Sequence, residues 1–191
     1  MKRNVQVREL TPACWNDLEK LFGEKGACGG CWCMLWRQTK GEKWNQVKGD
    51  VNRRRFKKLV ESGRAHGALA YDDQLPVGWL SFDRRVEYDK LNRAPSLACD
   101  DPEEVWSIPC FYIKSGYRFQ GVASALLAQA LRFLKKRGAK VAEGYPTKPY
   151  KDGPIPAAFA HTGTRPLFRK LGFDVVGNRN GGRQRVRRTI S

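Results

Sequence analysis

The sequence predicts a mixed α/β fold, and three observations carry that expectation. An apolar run, Cys110-Phe-Tyr-Ile113, passes through a glycine-containing turn directly into a strongly amphipathic stretch that starts at Val122. Short β-type segments alternate with helix-type segments along nearly the whole chain. Turn formers at Asp72-Asp73-Gln74 and Asn180-Gly181-Gly182 separate pairs of β-type segments, as hairpins require.

The elements follow in order. Val5 to Leu10 alternates like a first strand, and Thr11-Pro12 opens a helix running to about Phe22. Proline is accepted there because the first helical N–H groups have no intrahelical acceptor. The loop Gly23 to Gly30 ends that helix, and a second is expected over Trp44 to Ser62, stopped by Gly63. Ala65 to Tyr71 and Pro76 to Tyr88 form a hairpin, 89–103 is a polar connection with two prolines, and Glu104 to Ile113 is the next strand. From Val122 the apolar side chains fall at 122, 126, 130 and 134, with a second row at 123, 127 and 131, one wide stripe at helical spacing. Lys135, Lys136 and Arg137 suit the negative end of that helix dipole, and Gly138 follows as its C-terminal stop. Lys140 to Tyr145 is a strand, Thr147 to Thr164 a Pro/Gly-rich loop, Arg165 to about Leu171 a short helix, and the final hairpin turns at Asn180-Gly181-Gly182.

At 191 residues the chain is expected to form a single domain, 1–191. No apolar run approaches membrane-spanning length, and Met-Lys-Arg-Asn-Val-Gln at the start has no apolar signal core behind it, so a cytoplasmic protein without a membrane partner is expected. Lys plus Arg number 36 against 19 Asp plus Glu, a net charge of +17. Such a field attracts anionic cofactors and polyanions alike. Nucleic acid is therefore a possible partner, with basic concentrations at Arg53-Arg54-Arg55, Lys57-Lys58 and Arg179 to Arg188. No nucleic-acid recognition motif accompanies the charge, so a solvated surface ranks above it. The six cysteines read as free thiols in such a setting.

The strand-turn-helix at 110–127 has the form of an anion site: a helix N-terminus offers bare N–H groups, Gly121 lets a ligand approach the backbone, and Lys114 and Arg118 flank the turn. Arg118-Phe119-Gln120-Gly121-Val122-Ala123 resembles the Q/R-x-x-G-x-G/A signature of the GCN5-related N-acetyltransferases, the GNAT family. Leu167-Phe-Arg-Lys-Leu-Gly-Phe173 resembles the family's later L-Y-x-x-x-G-F junction. The resemblance implies a twisted, largely antiparallel sheet flanked by helices, with the fourth and fifth strands splayed apart. It implies acetyl-CoA as co-substrate and direct acetyl transfer to a primary amine. Arg118, Phe119, Gln120, Gly121, Val122, Ala123 and Ser124 would hold the pyrophosphate, and the backbone of Phe111, Tyr112 and Ile113 would pair with the pantetheine arm. Homodimers are frequent among relatives. Pro109 within the fourth strand removes a ladder donor and marks either a bulge or edge, or an ordinary strand end.

Acetyl transfer needs a neutral amine, a donor to the thioester oxygen and a leaving thiolate. Many relatives use a carboxylate on or before the fourth strand, which points to Glu103 or Glu104 as the base, with Asp100 and Asp101 behind them. A solvated acidic loop explains the same residues. The family's tyrosine acid is replaced by Phe168, so the thiolate leaves unassisted or another hydroxyl serves: Tyr145 first, then Tyr150 and Tyr112. Cys28, Cys31 and Cys33 with Cys14 or His66 could assemble a zinc site, but the spacing lacks a second CxxC and no metal is expected. Packing of the apolar run Trp32, Met34, Leu35 and Trp36 is the expected role of that segment; the resemblance implies a wall of the acceptor site there, and a plain core segment ranks above it. Cys110 borders the cofactor strand without a sequence-adjacent histidine, and His161 lies in the loop over the acceptor side. A nucleic-acid-binding or RNA-modifying protein, and a non-catalytic acyl-CoA sensor, remain the alternatives.

Overall fold

The computed structural model describes residues 3–147, 160–177 and 184–190. The chain opens with β1 (Gln6–Glu9), a 3-10 turn at Pro12–Cys14 and helix α1 (Trp15–Phe22). Where one long helix was expected there are two, α2 (Trp44–Val47) and α3 (Asp50–Glu61). The break has a local cause. Lys48 is extended, Gly49 takes a positive φ of 74°, and its N–H donates to the Gly30 carbonyl at 2.9 Å. A Cβ on Gly30, itself at φ +73°, would stand 2.5 Å from the Gly49 nitrogen. The two glycines let the 23–33 loop dock backbone to backbone on the start of α3.

The hairpin β2 (Gly67–Asp72) and β3 (Leu75–Arg84) follows as expected. The connection beyond it carries a short helix, α4 (Asp89–Asn92), which its polar composition did not announce. Then come β4 (Val105–Ile113), α5 (Val122–Lys136), β5 (Val141–Gly144), α6 (Arg165–Lys170), β6 (Asp174–Gly177) and β7 (Arg185–Thr189). β6 and β7 pair antiparallel; the expected turn at Asn180-Gly181-Gly182 lies outside the described residues, as does Tyr150.

The seven strands of the described residues form one sheet in the order β1-β2-β3-β4-β5-β7-β6, antiparallel except for the β4–β5 pair. Helices cover both faces. Val122, Leu126, Leu127, Ala130 and Leu134 of α5 pack on Ala68, Ala70, Val77 and Leu80. On the other face Trp15, Leu18, Phe22, Phe56 and Val60 of α1 and α3 meet Leu69, Tyr71 and Trp79. Strand alternation therefore sends Phe111 toward α5 and Cys110 and Tyr112 toward α1.

Pro109 marks the point where β4 changes character. Pairing with β5 runs from Val105↔Val141 to Ile108↔Gly144 and stops. On the other side, the β3 register shifts between Ser81↔Cys110 and Asp83↔Ser107, placing a bulge opposite Phe82. A residue without an N–H fits both places. Beyond it, Cys110 to Ile113 pair with β3 alone.

Candidate active site at the open half of the fourth strand

A single cleft of about 1290 Å³ runs along this open half. It exceeds the ~300–1,000 Å³ of common small-molecule pockets and suits an elongated ligand. At one end lies the turn before α5. Phe119 (φ +60°) and Gly121 (φ +88°) hold left-handed backbone, and no side chain caps the first turn of α5. Arg118, Phe119, Gly121, Val122, Ala123 and Ser124 all line the cleft there. Arg118 also braces the strand end, its Nε donating to the Ile113 carbonyl at 3.1 Å. Gln120 does not line the cleft. It clamps the turn, with Nε2 donating to the Gly116 carbonyl at 2.7 Å and Oε1 accepting from Arg3 Nε at 2.8 Å. Phe119 is fully exposed. Phe111, Tyr112 and Ile113 form the middle of the cleft, faced by Ala160, His161, Gly163, Thr164 and Leu167.

The far end is a wall of sulfur and aromatic rings. Cys28, Cys31, Cys33 and Cys110 line it together with Phe22, Trp79 and Tyr112. Sequence reasoning kept Cys110 apart from the other three, and only the crossing of β4 beneath the 23–33 loop joins them. Trp79 Nε1–H donates to Cys33 Sγ at 3.2 Å. The neighbouring Cys110, with Trp79, Ser81 and the charge of Arg37, outweighs burial and lowers the Cys33 thiol. Cys33 and burial together raise the Cys110 thiol. Burial and the neighbouring Cys33 push Cys31 up to about 11.

Behind Cys33 stands a buried charge relay that the sequence did not signal. Arg37 pairs with Asp83, whose other oxygen meets His66 Nδ1 at 3.0 Å. Burial alone would raise the Asp83 carboxyl, but His66 and Arg37 together hold it below its usual value. His66 is thereby committed away from the cysteines, and Cys14 Sγ meets Thr11 Oγ1 at 3.3 Å. Among the described residues no group of three His, Cys, Asp or Glu side chains is arranged to hold a metal ion.

Of the expected acid and base residues, Tyr112 lines the cleft, whereas Glu103, Glu104, Asp100, Asp101 and Tyr145 are not brought to it. Glu103 and Glu104 are exposed just before β4, at its closed end, with Glu103 Oε2 3.8 Å from Arg84. Asp100 is exposed, and Asp101 is bound by Arg187 at 2.6 Å. The Tyr145 hydroxyl is buried, accepting from Arg85 at 2.8 Å and lying 2.6 Å from Ser107 Oγ. Burial, reinforced by the charge of Glu143, raises that phenol well above its ordinary value. It sits in a structural network and does not reach the cleft. Phe168 is fully buried against Phe111 and Phe173, with ring centroids at 5.9 and 5.1 Å, closing the base of the gap between the strands. Among the described residues no carboxylate lines the cleft.

Comparison with known proteins places this architecture. A search of curated protein sequences gave no match. Among solved structures the chain is similar to an N-acetyltransferase from Staphylococcus aureus Mu50, at 12% identity with TM-score 0.57, covering 99% of this chain and 100% of that one. It is similar to the PaiA N-acetyltransferase from Thermoplasma acidophilum in complex with coenzyme A, at 14% identity and TM-score 0.56 over 98% and 99% of the two chains. YncA, a putative acetyltransferase from Salmonella typhimurium with acetyl-CoA, matches at 14% identity and TM-score 0.56 over 99% and 95%. At such identities these likenesses establish the fold. The family model described as the Acetyltransferase (GNAT) family matches residues 31–145, a span that includes Cys31, Cys33 and Cys110 of the sulfur wall, all of β4 and the turn into α5. On that match, the chain belongs to the GNAT acetyltransferase family.

Proposed function

We propose that the protein transfers the acetyl group of acetyl-CoA to a primary amine, within one domain formed by the whole chain. One observation carries the reading. The strand that loses its partner after Ile108 and the uncapped start of α5 share a single cleft. The diphosphate sits against the amides of Gly121 to Ser124, where the helix dipole and Arg118 favour negative charge. The pantetheine arm takes the place of a strand beside Phe111, Tyr112 and Ile113, which delivers the thioester toward Cys110 and the sulfur wall. A net charge of +17 raises the encounter rate with so anionic a co-substrate. Phe22, Leu35, Trp44, Trp79 and Tyr112, with Lys90 at their edge, favour an acceptor whose amine is attached to an apolar body.

Calorimetric titration with acetyl-CoA, followed by an amine panel with thiol-release detection, tests the reading. One acetyl-CoA bound per chain and coenzyme release dependent on an amine are expected. Folded protein that takes up neither acetyl-CoA nor coenzyme A contradicts it.

A further inference from the structure

We infer that the acceptor carries a carboxylate as well as its primary amine, both on one apolar frame, and that Lys90 receives the carboxylate. The inference rests on the acetyl-transfer reading above and names the substrate class for it: an amino acid in the general chemical sense.

The acceptor end of the cleft is apolar apart from one charge. Phe22 packs edge-on against Trp79 and Tyr112, with ring centroids at 6.1 and 5.8 Å, so these rings form a fixed wall. Lys90 lines the same cleft, and its backbone N–H donates to the Trp36 carbonyl at 3.0 Å, next to the lining residue Leu35. Leu91, the next residue of α4, is fully buried with Trp36, Tyr88 and Leu97, which anchors the turn that carries Lys90. Among the described residues the one other lysine or arginine in the lining is Arg118, at the turn before α5.

The surroundings aim the Lys90 ammonium without neutralising it. Gln38 Nε2 donates to the Glu42 carbonyl at 2.8 Å, which turns Gln38 Oε1 toward Lys90 Nζ at 3.1 Å. An amide oxygen takes one of the three N–H donors and cancels no charge. The acids close to Lys90 and Gln38 in the chain are engaged elsewhere. Asp89 accepts from Arg93 at 3.1 Å, Glu42 accepts from Arg55 at 2.6 Å, and Glu87 lies 3.8 Å from Arg37.

Such a wall selects by charge. With a lysine present, and no carboxylate in the lining among the described residues, an acceptor whose sole charge is its ammonium meets repulsion. A carboxylate on the same molecule removes that mismatch by pairing with Lys90 through a charge-assisted hydrogen bond, while the apolar frame covers the rings. One ammonium matches a singly charged group, which favours a carboxylate over a phosphate dianion. Lysine is a point charge on a flexible stem, so it can meet carboxylates set at different distances from the amine.

An acceptor panel read by thiol release tests this on the full chain, each acid set against its own carboxamide: phenylalanine, tryptophan, leucine and the longer aminohexanoate. The best acceptor should be an acid, with kcat/KM about 10-fold or more above that of its carboxamide. Lys90→Met keeps the apolar stem and removes the charge. It should raise KM for that acid about 10-fold, leave kcat and acetyl-CoA affinity as in wild type, and bring acid and carboxamide to equality. Lys136→Met, at an exposed lysine in the last turn of α5, should keep the preference. An equal loss there would trace the effect to the overall charge and overturn the inference. If Lys90→Met fails to fold, the wild-type comparison of acid with carboxamide decides alone. Carboxamides acetylated as well as their acids overturn the inference, as does acetyl-CoA binding with no acid accepted, and both results leave the acetyl-CoA site standing. Absence of acetyl-CoA binding overturns both readings.

Discussion

The two halves of β4 are one continuous strand with opposite duties. From Val105 to Ile108 it pairs with β5, Trp106 and Ser107 pair with β3 as well, and a buried cluster of charges lies around it. Glu143 on the neighbouring strand accepts from Arg85 at 2.6 Å, Arg185 at 2.8 Å and Arg187 at 2.5 Å, while Tyr145 and Ser107 close the network. From Cys110 to Ile113 the same strand keeps only β3, and its other side faces the cleft. Pro109 stands at the switch. The comparison teaches that perturbed titrating groups here belong to two different programmes: buried ion pairs fasten the closed half, and polarised thiols equip the open half.

The largest break in that comparison comes from Glu143→Gln. Removing the carboxylate leaves buried arginines uncompensated and should cost about 3–5 kcal/mol. For a domain of this size the melting temperature should fall by roughly 10 °C. Acetyl-CoA affinity of the folded fraction should hold; its loss would mean that the two halves are not separable. The same carboxylate sets a pH dependence. Burial alone would raise it, but Arg185 and Arg187 hold it below its ordinary value. Its stabilisation is therefore full above the usual carboxylate range and is lost as pH falls through the lower folded value, so melting scans should show a steep decline below about pH 4.

Next in size is Gly121→Ala on the open side. Forcing an alanine to φ +88° costs about 1–2 kcal/mol and moves the amides proposed to meet the diphosphate. Calorimetry should show acetyl-CoA affinity weakened about tenfold or more with a smaller change in melting temperature. Tyr145→Phe should behave in the opposite sense, losing about 1–3 kcal/mol of stability through Arg85 and Ser107 while coenzyme binding stays as it was. The smallest effect belongs to Glu103→Gln combined with Glu104→Gln, expected within about 0.5 kcal/mol of wild type and equal to it in coenzyme release. A large fall in turnover there would restore the acidic segment to the site and sink the placement argued here.

Backbone features were legible in the sequence and side-chain assemblies were not. The stripe from Val122 to Leu134 and the turn at Gly121 were legible because each depends on residues close together in the chain. Pro109 was readable as a bulge or edge, or as an ordinary strand end, and the register shift beside it gives the bulge. The split at Gly49 was missed because the partner that makes it, Gly30, belongs to a different loop. Glu103, Glu104 and Tyr145 were drawn from the family's habits, and their positions depend on which end of β4 is open, a tertiary fact. Meeting of Cys33, Trp79 and Cys110 likewise needs three segments folded together, so composition could show many thiols but not which would line one cleft.

Amide hydrogen exchange with and without acetyl-CoA tests the division of β4 most directly. The account predicts new protection at residues 111–113 and 121–124 on binding, with 105–108 unchanged because that half already pairs with β5. Protection confined to other segments, or none at all in protein saturated with acetyl-CoA, would contradict it.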